Sequence, residues 1–197
     1  MLSASAIAQD PVEDLLSAAN AGELPKVEAA LRGGMDPDTS DPQGNTLLII
    51  AAREGHFDMA KALLDQRANV RERNAVGDSP LMLAALHGHL ELVRLLASYG
   101  GEVNGTGWTG LHYCAWGGYA DVCSLLVELG AKVDARAPNG ATPLMMASRQ
   151  GNLVTARWLL RLGAAPKLKN DSGETALDWA LKYGHSDIAQ LLRSGWG

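Results

Sequence analysis

Six glycines recur along the chain at nearly constant intervals. They are separated by 33, 33, 30, 33 and 33 residues and lie at Gly22, Gly55, Gly88, Gly118, Gly151 and Gly184. A fixed period of this length indicates one supersecondary unit that is copied along the chain. Such a unit cannot bury its apolar face alone, so neighbouring copies must stack on one another. The spacing therefore predicts a solenoid of about six repeats, and the interval of 30 residues marks a place where three residues are missing.

A second recurring string precedes every periodic glycine except the first. It places Thr or Ser two residues before Leu, at Thr46-Leu47-Leu48, Ser79-Pro80-Leu81, Thr109-Gly110-Leu111, Thr142-Pro143-Leu144 and Thr175-Ala176-Leu177. A Thr or Ser hydroxyl caps a helix N-terminus, Pro suits the first turn, and Gly ends the helix. After Gly55, apolar residues at helical spacing, such as Met59 and Leu63, predict a second helix. We therefore expect an all-α chain of helix-turn-helix repeats with short turn or hairpin tips.

These strings resemble those of the ankyrin repeat family. The resemblance is carried by segments 44–56, 107–112 and 129–134 and covers roughly residues 10–196. It implies an ankyrin-repeat solenoid that follows a leader at 1–9, with repeats at 10–40, 41–73, 74–104, 105–136, 137–169 and 170–197. The first repeat lacks the Thr-Pro-Leu string and the last carries Arg193 at an otherwise apolar position, so we expect both to cap the array. The family implies a protein-binding module and no enzyme.

Composition argues against several classes of function. The net charge of −5 provides no basic field for nucleic acid, and no apolar run approaches the roughly 18–20 residues that span a membrane. The chain contains neither a Gly-x-Ser-x-Gly string nor a Gly-rich loop followed by the Lys of a phosphate site. We therefore predict no catalytic residues, no cofactor, no nucleic-acid partner and no membrane span, and we expect a monomer.

The histidines mainly predict structural roles. His56, His89 and His185 each follow a periodic glycine and lie about one repeat apart, too far to share a metal ion. In the ankyrin family such residues, and the histidine that follows Leu111 at His112, hydrogen-bond the neighbouring turn. His87 departs from the family pattern and is expected on the concave surface. We therefore predict no metal site.

The N-terminus and the cysteines bear on the cellular compartment. Ala6-Ile7-Ala8 matches the small-x-small end of a secretory signal peptide, although a charged start is absent. We interpret residues 1–9 as the remnant of a truncated bacterial export signal cleaved after Ala8, with a disordered cytoplasmic leader as the alternative. Cys114 and Cys123 fall on inward positions of one repeat. We predict buried thiols there, with a disulfide as the alternative.

Function should reside in residues that the repeat itself does not require. In the ankyrin family, partners bind a concave face built from the tips and the exposed side of each first helix. The residues predicted to bind a partner on this face are Val76, Asp78, Leu86, His87, Trp108, Trp116, Arg149 and Tyr183. Exposed Trp is strongly enriched at binding hot spots. The alternative is that Trp108 and Trp116 cover each other above the shortened turn.

The missing residues point to the same region. Segment 101–106 has lost three residues, and we expect the loss to fall in the hairpin because the flanking helices keep their length. The tip should be retracted and leave a notch beside Trp108 and Trp116 that admits a loop or chain end of a partner. We therefore predict a protein-binding module, specifically an inhibitor or protector of an exported bacterial enzyme. The alternatives are a cytoplasmic scaffold in a larger complex, and a small-molecule or metal binder at the notch that uses His87.

Overall fold

The computed structural model describes residues 10–194, and in that range the chain forms helices arranged in consecutive pairs. The helices are α1 Pro11–Asn20, α2 Leu24–Arg32, α3 Leu47–Glu54, α4 Phe57–Asp65, α5 Pro80–Leu86, α6 Leu90–Ser98, α7 Gly110–Gly117, α8 Ala120–Glu128, α9 Pro143–Gln150, α10 Leu153–Arg161, α11 Ala176–Lys182 and α12 Ser186–Ser194. Odd-numbered helices are the first helices of the six repeats and even-numbered helices are the second. The predicted all-α repeat solenoid is confirmed.

The helices pack in two layers. Each first helix contacts the first helices of the adjacent repeats, and the second helices contact each other in the same way. Ala51, Ala84 and Ala147 are fully buried in the first layer, where small side chains allow the helices to approach closely. The second helices contribute fully buried leucines, including Leu96 and Leu126. One apolar core therefore runs along the described residues, and no helix among them is long and apolar enough to cross a membrane.

The predicted Thr N-caps and C-terminal glycines bound the first helices. The Thr46 hydroxyl accepts a hydrogen bond from the backbone N–H of Ile49 at 3.2 Å, and Thr175 does the same for Asp178 at 3.3 Å. At the C-terminal end of α7, Gly118 has a φ of 88°, in the left-handed region that residues with a Cβ avoid. A Cβ there would also lie 2.9 Å from the side-chain oxygen of Asn152, so this turn requires glycine.

Polar side chains link successive repeats, as predicted for the histidines. Three of them place Nε2 at 3.0–3.2 Å from a carbonyl oxygen of the preceding repeat, in the pairs His56–Asn20, His89–Arg53 and His185–Arg149. Asn152 occupies the same position in the fifth repeat, and its amide donates to the carbonyls of Ala115 and Trp116 at 3.0 and 2.8 Å. These bonds explain the histidines without a metal ion.

The two cysteines form a disulfide, so the prediction of free thiols is wrong. Cys114 on α7 and Cys123 on α8 are both fully buried, as expected from their inward positions. Their Cα atoms lie 5.6 Å apart, within the range of about 4.4–6.8 Å that a disulfide spans. Helical periodicity placed both side chains inside one repeat, but it does not determine how closely two antiparallel helices approach.

Several expectations fall outside the described residues. The leader at 1–9 and the cleavage after Ala8 belong to this group. Two further tryptophans differ in their burial. Trp179 is 5% exposed in the core, and Trp158 is 40% exposed on a second helix with the Arg161 guanidinium 5.6 Å from its ring centre.

Candidate functional site

The tip of the fourth repeat lacks the hairpin that other repeats form. In the third repeat, the backbone N–H of Asn74 donates to the Asp78 carbonyl at 3.1 Å, and that of Gly77 donates to the Asn74 carbonyl at 2.9 Å. In the fourth repeat, no backbone hydrogen bond of this kind forms among residues 102–108. Since α5 to α8 are as long as the helices of other repeats, the prediction that the hairpin lost the residues is confirmed.

The row of tips is also interrupted on both sides of the fourth repeat. Elsewhere a tip donates a backbone N–H to the tip before it, from Ala75 to the Gln43 carbonyl at 2.9 Å and from Asp171 to the Asn139 carbonyl at 3.1 Å. Within residues 10–194 no such bond joins the fourth tip to its neighbours. In the fifth repeat the donor position is occupied by Pro138, which has no N–H.

The interruption adjoins a cavity of about 340 Å³ between α5, α7 and α9. We call it the notch, and its lining residues are Leu86, Trp108, His112, Tyr113, Trp116, Met146 and Arg149. The lining is mainly apolar, and one charged side chain lies among these residues. A cavity of this size is at the lower end of the range of about 300–1,000 Å³ for ligand pockets. The cavity is therefore a largely apolar site beside Trp108 and Trp116, the residues next to which the sequence predicts a notch.

The two tryptophans of the notch make separate contacts. The Trp108 ring meets His112 edge to face, with centroids 5.4 Å apart and an interplanar angle of 82°. The Trp116 ring instead faces the Arg149 guanidinium at 5.2 Å. Both tryptophans are only half-buried, so each leaves part of its ring open to a binding partner.

His112 is neutral and both of its ring nitrogens are engaged. Nδ1 lies 3.2 Å from the Thr109 backbone nitrogen, which can only donate, and Nε2 lies 3.1 Å from the Ala141 carbonyl oxygen, which can only accept. Nδ1 is therefore the acceptor and Nε2 carries the proton. Burial lowers the pKa of His112 to about 4. Its predicted structural role is confirmed, and it offers no proton to a ligand in the notch.

Arg149 is surrounded by aromatic rings. Its guanidinium carbon lies 5.2 Å from the centre of Trp116, 5.8 Å from Trp179 and 5.1 Å from Tyr183. Arg guanidinium groups at such distances are attracted to the ring faces. Across residues 10–194, no carboxylate or hydrogen-bond acceptor contacts the Arg149 side chain. The charge is thus held in place by π-systems and keeps its N–H donors.

The structure gathers some of the predicted binding residues and separates others. Leu86, Trp108, Trp116 and Arg149 line the notch, and Tyr183 joins them through Arg149. The other three predicted residues do not line it: Val76 is 80% exposed, Asp78 accepts a hydrogen bond from the Tyr113 hydroxyl, and His87 stacks on His89 with centroids 6.1 Å apart.

Tyr113 in the notch and the outer residue His87 both have shifted pKa values. Burial, followed by the bond to Asp78, raises the pKa of the Tyr113 hydroxyl far above its ordinary value. Burial, followed by the neighbouring His89, lowers the pKa of His87. Asp78 therefore serves as a bridge between the third and fourth repeats.

Sequence reasoning missed three members of the site. Tyr113 and Met146 lie three residues before Trp116 and Arg149, on the same face of α7 and α9. Trp179 lies four residues before Tyr183 and contacts Arg149. Residues three or four apart on a helix are neighbours, so this spacing is the signal that could have identified all three.

No group of three or more His, Cys, Asp or Glu side chains within residues 10–194 is arranged to hold a metal ion. The lining of the notch supplies one imidazole, whose nitrogens are already engaged, and one guanidinium. The arrangement can therefore bind an apolar group beside a negative charge.

Stacked helix pairs, with an apolar notch between three of the first helices, define a repeat solenoid. The chain belongs to the ankyrin repeat family, because the family model described as ankyrin repeats (three copies) matches residues 15–104, 66–137 and 132–195. This confirms the resemblance seen in the sequence. Ankyrin repeats are protein–protein interaction modules, typically without enzymatic activity of their own.

Relatives fall into two groups by length. The ankyrin repeat protein YahD of Escherichia coli (strain K12) is 30% identical over 190 residues, which cover 91% of this chain and 94% of YahD. The ARF GTPase-activating protein GIT2 of Mus musculus is 36% identical over 83 residues, which cover 42% of this chain and 12% of GIT2. The ankyrin repeat and KH domain-containing protein mask-1 of Caenorhabditis elegans is 28% identical over 153 residues, 75% of this chain and 6% of mask-1.

Proposed function

We propose that the chain is a module that binds a protein partner on the concave face of the array, with the notch as the centre of the contact. The observation that supports this is the pairing of Trp108 and Trp116 around an apolar cavity where the row of tips is interrupted. Clustered, partly exposed apolar side chains mark interaction sites on soluble proteins. Binding hot spots concentrate in Trp, Tyr and Arg, and the lining of this notch contains all three.

We further propose that the module acts by occupying its partner's surface, as an inhibitor or a protector of an exported bacterial enzyme. The notch residues favour binding over chemistry, since its one imidazole is held neutral with both nitrogens engaged. A partner bound there would be masked from its substrates or from proteases. Whether masking inhibits or protects depends on which surface of the partner is covered.

The proposed location outside the cytosol is supported by the disulfide between Cys114 and Cys123. Disulfides persist in oxidising compartments such as the bacterial periplasm and are rare in reducing cytosol. Alkylation of the protein isolated from fractionated cells tests the location. We expect it in the periplasmic fraction, with both thiols protected until a reductant is added. Recovery from the cytosolic fraction with two reactive thiols would reject the exported form.

Affinity capture from a periplasmic extract tests the binding function. The bait is the full chain, compared with the double variant Trp108→Ala/Trp116→Ala and with Trp158→Ala, which removes an exposed Trp from a second helix. We expect one protein to be retained by the wild type and by Trp158→Ala and lost with the double variant. Titration of that protein's activity or proteolytic survival then separates inhibition from protection. Equal retention by the double variant would contradict the site.

A further inference from the structure

Three of the repeats carry a cationic side chain at the same position of the first helix. Among residues 10–194, two of these cations donate to a carboxylate and the third does not. The position lies two residues before the periodic glycine and holds Arg53, Leu86, Trp116, Arg149 and Lys182. Arg53 donates to the Glu54 carboxylate at 2.7 Å and to the side-chain oxygen of Asn20 at 2.8 Å. Lys182 donates to Glu174 at 2.9 Å. Within residues 10–194, Arg149 forms a salt bridge with no carboxylate.

The next residue along the chain explains why Arg53 is paired and Arg149 is not. Glu54 follows Arg53, whereas the neutral Gln150 follows Arg149. The aromatic rings around Arg149 attract the cation but cannot accept the set of strong hydrogen bonds that a carboxylate accepts. The guanidinium is therefore positioned and charged at the edge of the notch, with N–H donors available.

We propose that the notch binds a loop of a protein partner in which a large apolar side chain lies next to an Asp or Glu side chain. The apolar group fills the space beside Trp108, Trp116 and Met146, and the carboxylate pairs with Arg149. This inference rests on the proposed protein-binding function and adds the chemistry of the partner. A cavity of about 340 Å³ accommodates one large side chain rather than a helix.

The donors at the notch favour an acidic side chain over a chain terminus. Terminal carboxylates are typically captured by nests of successive backbone N–H groups. Arg149 lies in the last turn of α9, where a helix presents carbonyl oxygens, and its own carbonyl already accepts a bond from His185 at 3.0 Å. The fork of the guanidinium matches the two oxygens of a side-chain carboxylate.

Three tetrapeptides that differ in whether and where they carry a carboxylate test the preference for an acidic side chain. The first is acetyl-Gly-Phe-Asp-Gly-amide, the second replaces Asp by Asn, and the third carries Asn and a free C-terminal carboxylate. Binding to the full chain is followed by NMR through the indole N–H signals and the Arg side-chain Nε–H signals. We expect the acidic peptide to bind at least about tenfold more tightly than the amide peptide, the scale of a hydrogen bond to a charged group.

Two variants and one matched control assign the effect to Arg149. Arg149→Met should reduce affinity for the acidic peptide about tenfold and leave the amide peptide unaffected. Gln150→Glu should also reduce affinity for the acidic peptide about tenfold, although Arg149 is kept. The new carboxylate would pair with Arg149 as Glu54 pairs with Arg53. Arg53→Met removes the equivalent cation of the second repeat and should change neither peptide's affinity.

The peptide experiments test the acidic-loop inference, and the capture experiment tests the protein-binding function. Equal binding of the acidic and amide peptides, preference for the free terminus, or no saturable shift at millimolar peptide would overturn the acidic-loop inference. The protein-binding function fails separately, if the double variant Trp108→Ala/Trp116→Ala retains the captured partner. A partner that depends on the tryptophans but not on Arg149 would leave the proposed function intact and reject this inference alone.

Discussion

At the scale of single residues, Trp116 lines the notch, and its ring centre lies 5.2 Å from the guanidinium carbon of Arg149. Trp116→Ala should weaken partner binding by about 2 kcal/mol or more, the hot-spot scale. The loss of folding stability should be small because the ring is only half-buried. Calorimetry with the captured partner measures the first effect and urea unfolding the second. Unchanged affinity, with Trp158→Ala as the reference, would count against the site.

His112 should make stability depend on pH. Burial lowers its pKa from 6.5 to about 4, so between these values the unfolded chain binds a proton that the folded chain does not. Stability is therefore fully present above pH 6.5 and is lost as the pH falls, by up to about 1.4 kcal/mol per unit. Urea unfolding from pH 7 to pH 4 measures this slope.

The matched variant for that measurement is His112→Met, since Met82 and Met145 hold the same position in the third and fifth repeats. We expect the slope above pH 4 to be shallower in the variant. Asp178, whose pKa is lowered by its bonds to Thr175, loses its contribution only as the pH falls through the carboxylate range, and it does so in both proteins. Identical slopes would show that His112 does not titrate in this way.

The residues of the site were only partly predictable from the sequence. Leu86, Trp116 and Arg149 each lie two residues before a periodic glycine, so the repeat pattern alone predicts that they share one surface. Among residues 10–194, the surroundings of Arg149 consist of rings from α7, from α11 and from the residue that caps α11, so they depend on contacts between helices. The engagement of Asp78 by Tyr113 likewise crosses a repeat boundary. Contacts between repeats depend on rotamers and helix spacing, which a one-dimensional pattern does not contain.

At the scale of helices, the second helices hold the array together through buried leucines. Leu126 on α8 is fully buried, whereas Leu129, immediately after the helix, is 41% exposed. Leu126→Ala should lower the free energy of unfolding by about 2–5 kcal/mol, because it removes apolar contacts and leaves a cavity. Leu129→Ala is the control and should lie within about 0.5 kcal/mol of the wild type. Chemical denaturation compares the two, and similar losses would contradict the packing.

The disulfide constrains the helix pair that carries Trp116. Cys114 and Cys123 are nine residues apart, so their bond closes a short loop between α7 and α8. The entropy of closing such a loop predicts that Cys114→Ala/Cys123→Ala lowers stability by about 2–3 kcal/mol. Reduced wild type should lose a similar amount. Denaturation curves with and without reductant measure both, and a variant as stable as the oxidised protein would contradict the prediction.

At the scale of the whole molecule, the deletion in the fourth tip should be essential for access to the notch. Inserting Ala-Arg-Ala between Asn104 and Gly105 restores the length found in the fifth repeat, where Ala135, Arg136 and Ala137 occupy these places. We expect the insertion to lower partner affinity at least about tenfold by extending a tip beside the notch, with stability maintained. Calorimetry measures the affinity, and full affinity after insertion would separate the notch from the deletion.

The overall architecture was more predictable than the site for a physical reason. Each repeat contacts mainly its neighbours, so one local pattern repeated along the chain determines the whole array. Thr46, Thr175 and Gly118 act at helix ends as their residue types indicate. The oxidation of Cys114 and Cys123 was not predictable in this way, because it depends on the distance between two helices.

The interrupted row of tips also has a mechanical consequence. Backbone hydrogen bonds join the second tip to the third and the fifth to the sixth. Within residues 10–194, the fourth tip is joined to its neighbours through side chains, as in the 3.0 Å pair of Arg73 with Glu102. Side-chain links tolerate more movement than a backbone bond. The fourth repeat is therefore held in the array by the packing of α7 against α5 and α9 and by side-chain links at its tip.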